Sequence, residues 1–199
     1  MQKPFIGVSG LIGAGKTTLA RKLSEHYGVP LYKEPVEENE YLDKFYKDPA
    51  KYGFAMQVYL LNYRFEAHQK LVWGRFGGIQ DRTIYEDKVF AEVLSRQGNI
   101  SKEDYKVYRH LARNMFSFLY EPDLILHLDV SPETALNRIV ERGRASELFI
   151  PLAYLELLHE VYQDFLEERQ KRVRVLRLDY NEFLDFEEVV SKIDEALEA

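Results

Sequence analysis

The 199-residue sequence contains no cysteine. A disulfide framework, a thiolate metal site and a cysteine nucleophile are therefore excluded. The same lack fits a reducing compartment. No apolar run approaches the roughly 18 residues that span a membrane. The opening stretch MQKPFIGVSGLIGAGKTT has no long apolar segment with a cleavage site behind it. It reads as folded structure, and the expectation is a cytoplasmic protein with no membrane association. Positive charge is also short: 27 Lys and Arg stand against 33 Asp and Glu, a net charge of −6. That balance argues against a surface that coats a nucleic-acid polymer. The guanine-reading pattern N-K-x-D is absent, which argues against a GTPase switch. Neither internal repeats nor low-complexity tracts interrupt the chain.

What is present is an alternation of strand-like and helix-like segments, read as one domain over residues 1–199. Short apolar runs predict strands over residues 4–9, 29–33, 78–82, 123–130 and 173–179. Helices are predicted over residues 16–27, 52–73, 101–120, 152–172 and 185–197. Gly28 sits where a helix C-cap belongs. Ser101-x-x-Asp104 has the form of a capping box, and Ser131-Pro132 that of an N-cap followed by proline. The alternation implies an α/β fold with a mostly parallel sheet covered on both faces. Ligands of such sheets bind beyond the carboxyl ends of the strands, and every motif below falls at such an end.

Gly10-Leu11-Ile12-Gly13-Ala14-Gly15-Lys16-Thr17 matches the phosphate-loop pattern G-x-x-x-x-G-K-[ST] between a strand and a helix. Its glycines let backbone N–H groups turn inward around phosphate oxygens, and the helix N-terminus adds positive potential. Lys16 is expected to reach the outer phosphates. Thr17 is expected to place its hydroxyl on Mg²⁺, with Thr18 beside it in the nucleotide site. The pattern implies a nucleoside triphosphate ligand.

Four further constellations carry candidate chemistry. Glu34, followed by Pro35, ends a strand and is set in an extended backbone, where a carboxylate could take the proton of a hydroxyl. With Glu37, Glu38 and Glu40 behind it, a solvated acidic loop has the same local signature. Asp81-Arg82 ends the third strand. The acid could hold Mg²⁺ through water and the arginine could face an anion; an ordinary ion pair is the alternative. Arg138, Arg142 and Arg144 cluster near Gly143. Arg138 and Arg142 share a helix face, where like charges favour an anionic partner, although a solvated basic face would look alike. Gln57 and Arg64 are seven residues apart on the long aromatic helix and project from one side; the Gln amide suits a base edge. An amphipathic core helix is the competing reading.

In combination and order, these segments resemble the deoxynucleoside kinase family, which includes deoxycytidine, deoxyguanosine and deoxyadenosine kinases and their bacterial relatives. The resemblance runs through IGVSGLIGAGKTT, KEPVEEN, FAMQVYLLNYR, DRTIYED, RGRASE with IPLAYLELLHE, and LDYNEF, from Phe5 to about Phe183. It implies a five-stranded parallel sheet flanked by helices, with an arginine-rich lid at about residues 138–150. It implies Mg·ATP as donor and a deoxynucleoside as acceptor. Glu34 is then similar to the family's general base for the 5′-hydroxyl, and Arg82 to the arginine that holds it. Gln57, Arg64 and Asp87 correspond to the base-reading edge, and Tyr46 and Glu147 to the pair on the sugar 3′-hydroxyl. Arg138, Arg142 and Arg144 match the lid arginines. Asn181-Glu182-Phe183 resembles the segment beside the donor adenine. Asp81 replaces the glutamate common in the family, and Ser146 replaces an acidic residue before Glu147. The resemblance also implies a homodimer, with the aromatic surfaces of residues 52–73 and 105–119 as candidate faces. DRTIYED points to deoxyadenosine or deoxyguanosine ahead of deoxycytidine, and away from thymidine. The nearest rival is a nucleoside monophosphate kinase of the thymidylate kinase type. Its acceptor is already ionised and has little use for a base, so Glu34 favours a hydroxyl acceptor.

Overall fold

The computed structural model describes residues 3–34, 39–74 and 77–198. Pro35, Glu37 and Glu38 lie outside the described residues, as do the ends of the 1–199 span. Five strands form one parallel sheet: β1 (Phe5–Gly10), β2 (Leu31–Tyr32), β3 (Gly78–Asp81), β4 (Leu124–Asp129) and β5 (Arg174–Asp179). Their spatial order is β2-β3-β1-β4-β5. From β1 the chain builds one side through β2 and β3, then crosses to build the other through β4 and β5. A crevice therefore opens at the carboxyl end of β1, where the order reverses.

The central strands are apolar without alternation because helices cover both of their faces. Ile6, Val8, Ile79, Leu124 and Leu126 are fully buried. β5 lies at the edge and is correspondingly half exposed. The eight helices among the described residues are α1 (Lys16–Tyr27), α2 (Leu42–Lys47), α3 (Pro49–Gly74), α4 (Asp87–Arg96), α5 (Lys102–Phe116), α6 (Pro132–Arg142), α7 (Leu152–Arg169) and α8 (Phe186–Glu198). None is long and apolar enough to cross a membrane.

Several boundaries follow from local chemistry. Gly28 caps α1 in the left-handed region at φ 59°. The Ser101 and Ser131 hydroxyls accept the backbone N–H groups of Asp104 and Thr134 at the starts of α5 and α6. The long helix starts at Pro49, three residues before the expected start: proline suits the first turn, and Asp48 Oδ1 accepts the Lys51 N–H at 3.1 Å. β2 is shorter than residues 29–33, since Lys33 and Glu34 turn out of the sheet into the crevice. α5 stops at Phe116, and α7 at Arg169, where the Arg172 and Val173 N–H groups bond back to the Arg169 carbonyl in a turn. Two helices were not anticipated. α2 is only six residues long and half of them are charged, so the apolar spacing of Leu42, Phe45 and Tyr46 is too short to stand out. α4 did carry a signal just before it, Thr83-x-x-Glu86, and the Glu86 carboxylate accepts the Thr83 backbone N–H at 3.3 Å.

Candidate active site

The phosphate loop leaves β1 at Gly10 and enters α1 at Lys16. Gly10, Gly13 and Gly15 have φ of 143°, 85° and 94°, a backbone that side chains rarely adopt. At Gly13 a Cβ would also stand 2.5 Å from the Ala135 carbonyl oxygen. The loop therefore packs too closely on α6 for any larger residue. Lys16 is buried, and its Nζ donates to the Leu11 carbonyl at 2.6 Å. Burial, then the charge of Arg82, lowers its ammonium to about 7, with Asp81 and Glu34 opposing. The Thr17 hydroxyl donates to Asp81 Oδ2. Asp81 Oδ1 is buried with no hydrogen-bond partner among the described residues. Thr18 is exposed beside them.

Gly13, Lys16, Thr17 and Asp81 line one wall of a cleft of about 400 Å³, while Gly10, Gly15 and Thr18 do not line it. Glu34 stands at its centre, gripped by two arginines. Arg82 Nη1 donates to Oε2 at 2.6 Å, and Arg64 Nη2 donates to Oε1. Burial alone would raise the Glu34 carboxyl; Arg82, then Arg64 and Lys16, more than reverse this and hold it at about 2. Glu34 is thus ionised throughout the neutral range.

Arg82 is itself held from several sides. It is the one described non-glycine residue at positive φ, 62°. Its N–H donates to the Val8 carbonyl at 3.0 Å, and Nη2 donates to the Gly10 carbonyl at 3.3 Å. The Phe90 ring lies 4.7 Å from its guanidinium carbon. Immediately beyond it, Glu86 accepts the Thr83 N–H and the Tyr162 hydroxyl, the latter at 2.9 Å. Burial raises the Glu86 carboxyl, against the opposing charge of Arg82.

The far wall comes from α3. Gln57 and Arg64 both face the cleft, as their spacing predicts. Gln57 Oε1 is buried without a hydrogen-bond partner among the described residues. Asp87 is fully buried, forms an ion pair with Arg64 and does not reach the cleft surface. It stands behind Arg64 and not on the cleft wall. Tyr46 and Glu147 line the same cleft. Burial, helped by Tyr154 and Glu147, pushes the Tyr46 hydroxyl well above its ordinary range, so it stays a neutral donor.

Arg138, Arg142 and Arg144 divide. Arg142 and Arg144 line the cleft and both hold Glu147, Arg144 at 2.7 Å. Arg138 points elsewhere: its Nη2 donates to the Tyr180 and Asn181 carbonyls, and its guanidinium stacks on Phe183 at 4.2 Å. Phe183 is exposed and lies against the phosphate loop, where a Cβ on Gly15 would meet its ring at 3.2 Å. Glu182 is on the same loop. The arrangement gives two compartments, a polar cleft before Glu34 and an aromatic shelf over the phosphate loop. Sequence reasoning missed Phe45, Phe90 and Tyr154, which line the cleft from α2, α4 and α7. Only the tertiary fold brings those helices to the site.

Comparison with known proteins agrees with this geometry. The family model for deoxynucleoside kinase matches residues 6–199. A deoxyadenosine kinase from Dictyostelium discoideum is 47% identical over 193 residues, covering 97% of this chain and 79% of that protein. A deoxyadenosine/deoxycytidine kinase from Bacillus subtilis is 39% identical over 166 residues, covering 81% of this chain and 76% of that protein. The solved structure of deoxyadenosine kinase from M. mycoides with bound dATP superposes with a TM-score of 0.86 at 32% identity, over 96% of this chain and 99% of that one. The same enzyme with bound dCTP gives 0.85 at 33% identity, over 96% of this chain and 98% of that one. The chain belongs to the deoxynucleoside kinase family, and is an enzyme that phosphorylates deoxynucleosides.

Proposed function

We propose that the cleft binds a purine deoxynucleoside, deoxyadenosine or deoxyguanosine ahead of deoxycytidine, and that Glu34 takes the 5′-hydroxyl proton during transfer of a phosphoryl group from ATP. One observation carries this reading: an ionised carboxylate sits at the centre of the cleft between two arginines and beside the phosphate-loop lysine. A phosphate acceptor would meet that carboxylate with like charge, whereas a hydroxyl finds an acceptor for its proton. The relatives named for deoxyadenosine and deoxyguanosine support the purine preference.

A carboxylate near 2 is a weak base, but the loose transition state of phosphoryl transfer asks little of it until late. Arg82 keeps Glu34 aimed and stays charged, its guanidinium held protonated by Glu34 against burial. Lys16 is set to meet the outer phosphates, and its charge is favoured once anionic oxygens replace the Leu11 carbonyl. Arg142 and Arg144 sit where they neutralise the transferring group, and Glu147 with Tyr46 suits a sugar hydroxyl. The shelf of Phe183 and Arg138 offers a stacking face for the donor base, with Glu182 nearby. Thr17 and Asp81 would fit a magnesium ion: a hydroxyl next to a carboxylate whose second oxygen is buried and unpartnered among the described residues. Such an ion would supply charge neutralisation to the donor phosphates.

We place the enzyme in the cytoplasm, where ATP is abundant, with a small-molecule acceptor and no polymer or membrane partner. We also assign it a homodimer, supported by the exposed Val107 and Leu111 on α5 and Trp73 at the end of α3. The test is Glu34→Gln. Turnover is expected to fall by at least about 10²-fold while deoxynucleoside still binds in calorimetry. Near-normal turnover would remove Glu34 from the base role.

A further inference from the structure

Arg64 is shared between two carboxylates. One of its terminal nitrogens is on Glu34 Oε1 and the other on Asp87. The two partners are not equivalent. Asp87 is fully buried and pairs only with Arg64 among the described residues, so breaking that pair would strand a buried charge. Glu34 is on the cleft surface and keeps Arg82 if Arg64 leaves. Asp87 is therefore the anchor and Glu34 the exchangeable partner. Two helical turns earlier on the same face, Gln57 offers a buried oxygen that no described residue satisfies. A nucleobase laid along this face would supply the donor that Gln57 lacks and compete for the N–H groups of Arg64 that point into the cleft.

We propose that Arg64 couples base reading to catalysis: in the empty cleft it occupies Glu34 Oε1, and a nucleobase acceptor draws it away, leaving Oε1 for the 5′-hydroxyl. This rests on the assignment of Glu34 as base and of the α3 face as the base edge. Without a base, one oxygen of Glu34 is engaged by Arg64 and the other by Arg82. With the right base, one oxygen is free for the substrate. The contact to the base is then expressed in the rate of transfer as well as in binding, because it is completed only as the reacting groups are released. A wrong or missing base leaves the carboxylate engaged, which also restrains transfer to water.

The experiment compares deoxyadenosine with its 1-deaza, 3-deaza and 7-deaza analogues, each lacking one ring-nitrogen acceptor. The readout is the single-turnover rate at saturating nucleoside, alongside KM. In the unmodified enzyme one analogue is expected to slow transfer about tenfold, the scale of one hydrogen bond to a charged group. The others should change the rate little. Arg64→Lys keeps a charge beside Asp87 but cannot span both carboxylates, so deoxyadenosine and that analogue should then react at rates within about twofold of each other. The coupling is overturned if every analogue changes KM alone in the unmodified enzyme. It is equally overturned if the deficit persists undiminished in Arg64→Lys. Should the unmodified enzyme turn over no nucleoside at all, the phosphorylation reading fails first and this inference with it; the analogue series separates the two failures.

Discussion

Arg82 grips Glu34 at 2.6 Å from a backbone held at φ 62°, a left-handed conformation adopted by no other described non-glycine residue. Such a conformation costs on the order of 1–3 kcal/mol and persists only when neighbours over-determine it. Here the Val8 carbonyl, the Phe90 ring and the Glu86 cap on Thr83 all do so. The strain sits at the clamp on Glu34 and follows from its geometry: the chain must leave β3 and turn its side chain back across the end of β1.

Arg82→Lys tests that clamp. A lysine keeps the charge but loses the planar fork, the stacking on Phe90 and the reach to the Gly10 carbonyl. Turnover is expected to fall about 10²-fold or more, the scale of losing one preorganised charged donor. Nucleoside affinity, measured by calorimetry, should change much less.

Asp87 pairs with Arg64 behind the cleft wall, so on the proposed reading it would act on the base through Arg64 and not by touching it. Asp87→Asn should therefore loosen Arg64 and reorder the preference among deoxyadenosine, deoxyguanosine and deoxycytidine. KM for ATP should stay within about threefold, since the phosphate loop is untouched. Steady-state kinetics with the three nucleosides checks both parts. An unchanged ranking would remove Asp87 from base discrimination.

The shelf over the phosphate loop should belong to the donor alone. Phe183→Ala removes an exposed ring that stacks on Arg138, so it should leave stability nearly unchanged. KM for ATP is expected to rise several-fold, on the scale of a lost base stack of about 1–3 kcal/mol at most. KM for deoxynucleoside should not move.

Acid stability should depend on His68. This side chain lies between Phe5 and Tyr85, and its Nε2 donates to the Tyr120 carbonyl at 2.8 Å. Burial lowers it to about 4, with the Tyr120 and Gln80 contacts opposing. The unfolded chain takes up this proton near 6.5, before the folded one does. The contribution is complete above about 6.5 and is lost as pH falls toward 4. Denaturant melts from pH 7 to 4 should show this fall, shallower by about one proton in His68→Asn if that variant folds.

How much of this was legible before the fold was known differs by residue. The phosphate loop was complete in the sequence because its chemistry is local: eight consecutive residues carry the turn, the lysine and the hydroxyl. Gln57 and Arg64 share a face because a helix fixes that by spacing alone. Glu34 could be singled out as a strand-end carboxylate, but its two arginines come from segments 30 and 48 residues away. The position of Asp87 behind Arg64, and not on the cleft, depends on how α4 packs against α3. Arg138 shares a helix face with Arg142, yet it serves the loop after β5 because the β4–β5 pairing brings Tyr180 and Asn181 beside it. Tyr154 and Phe90 carried no signal of their own, since an aromatic on a buried helix face reads as core.

The most direct test is steady-state turnover with Mg·ATP against deoxyadenosine, deoxyguanosine, deoxycytidine and thymidine, with the four matching monophosphates alongside. The account predicts that deoxynucleosides are phosphorylated, purines ahead of deoxycytidine and thymidine last, with no turnover of the monophosphates. Turnover of a monophosphate alone would contradict it, because the Glu34 carboxylate at the centre of the cleft would then face the acceptor's phosphate.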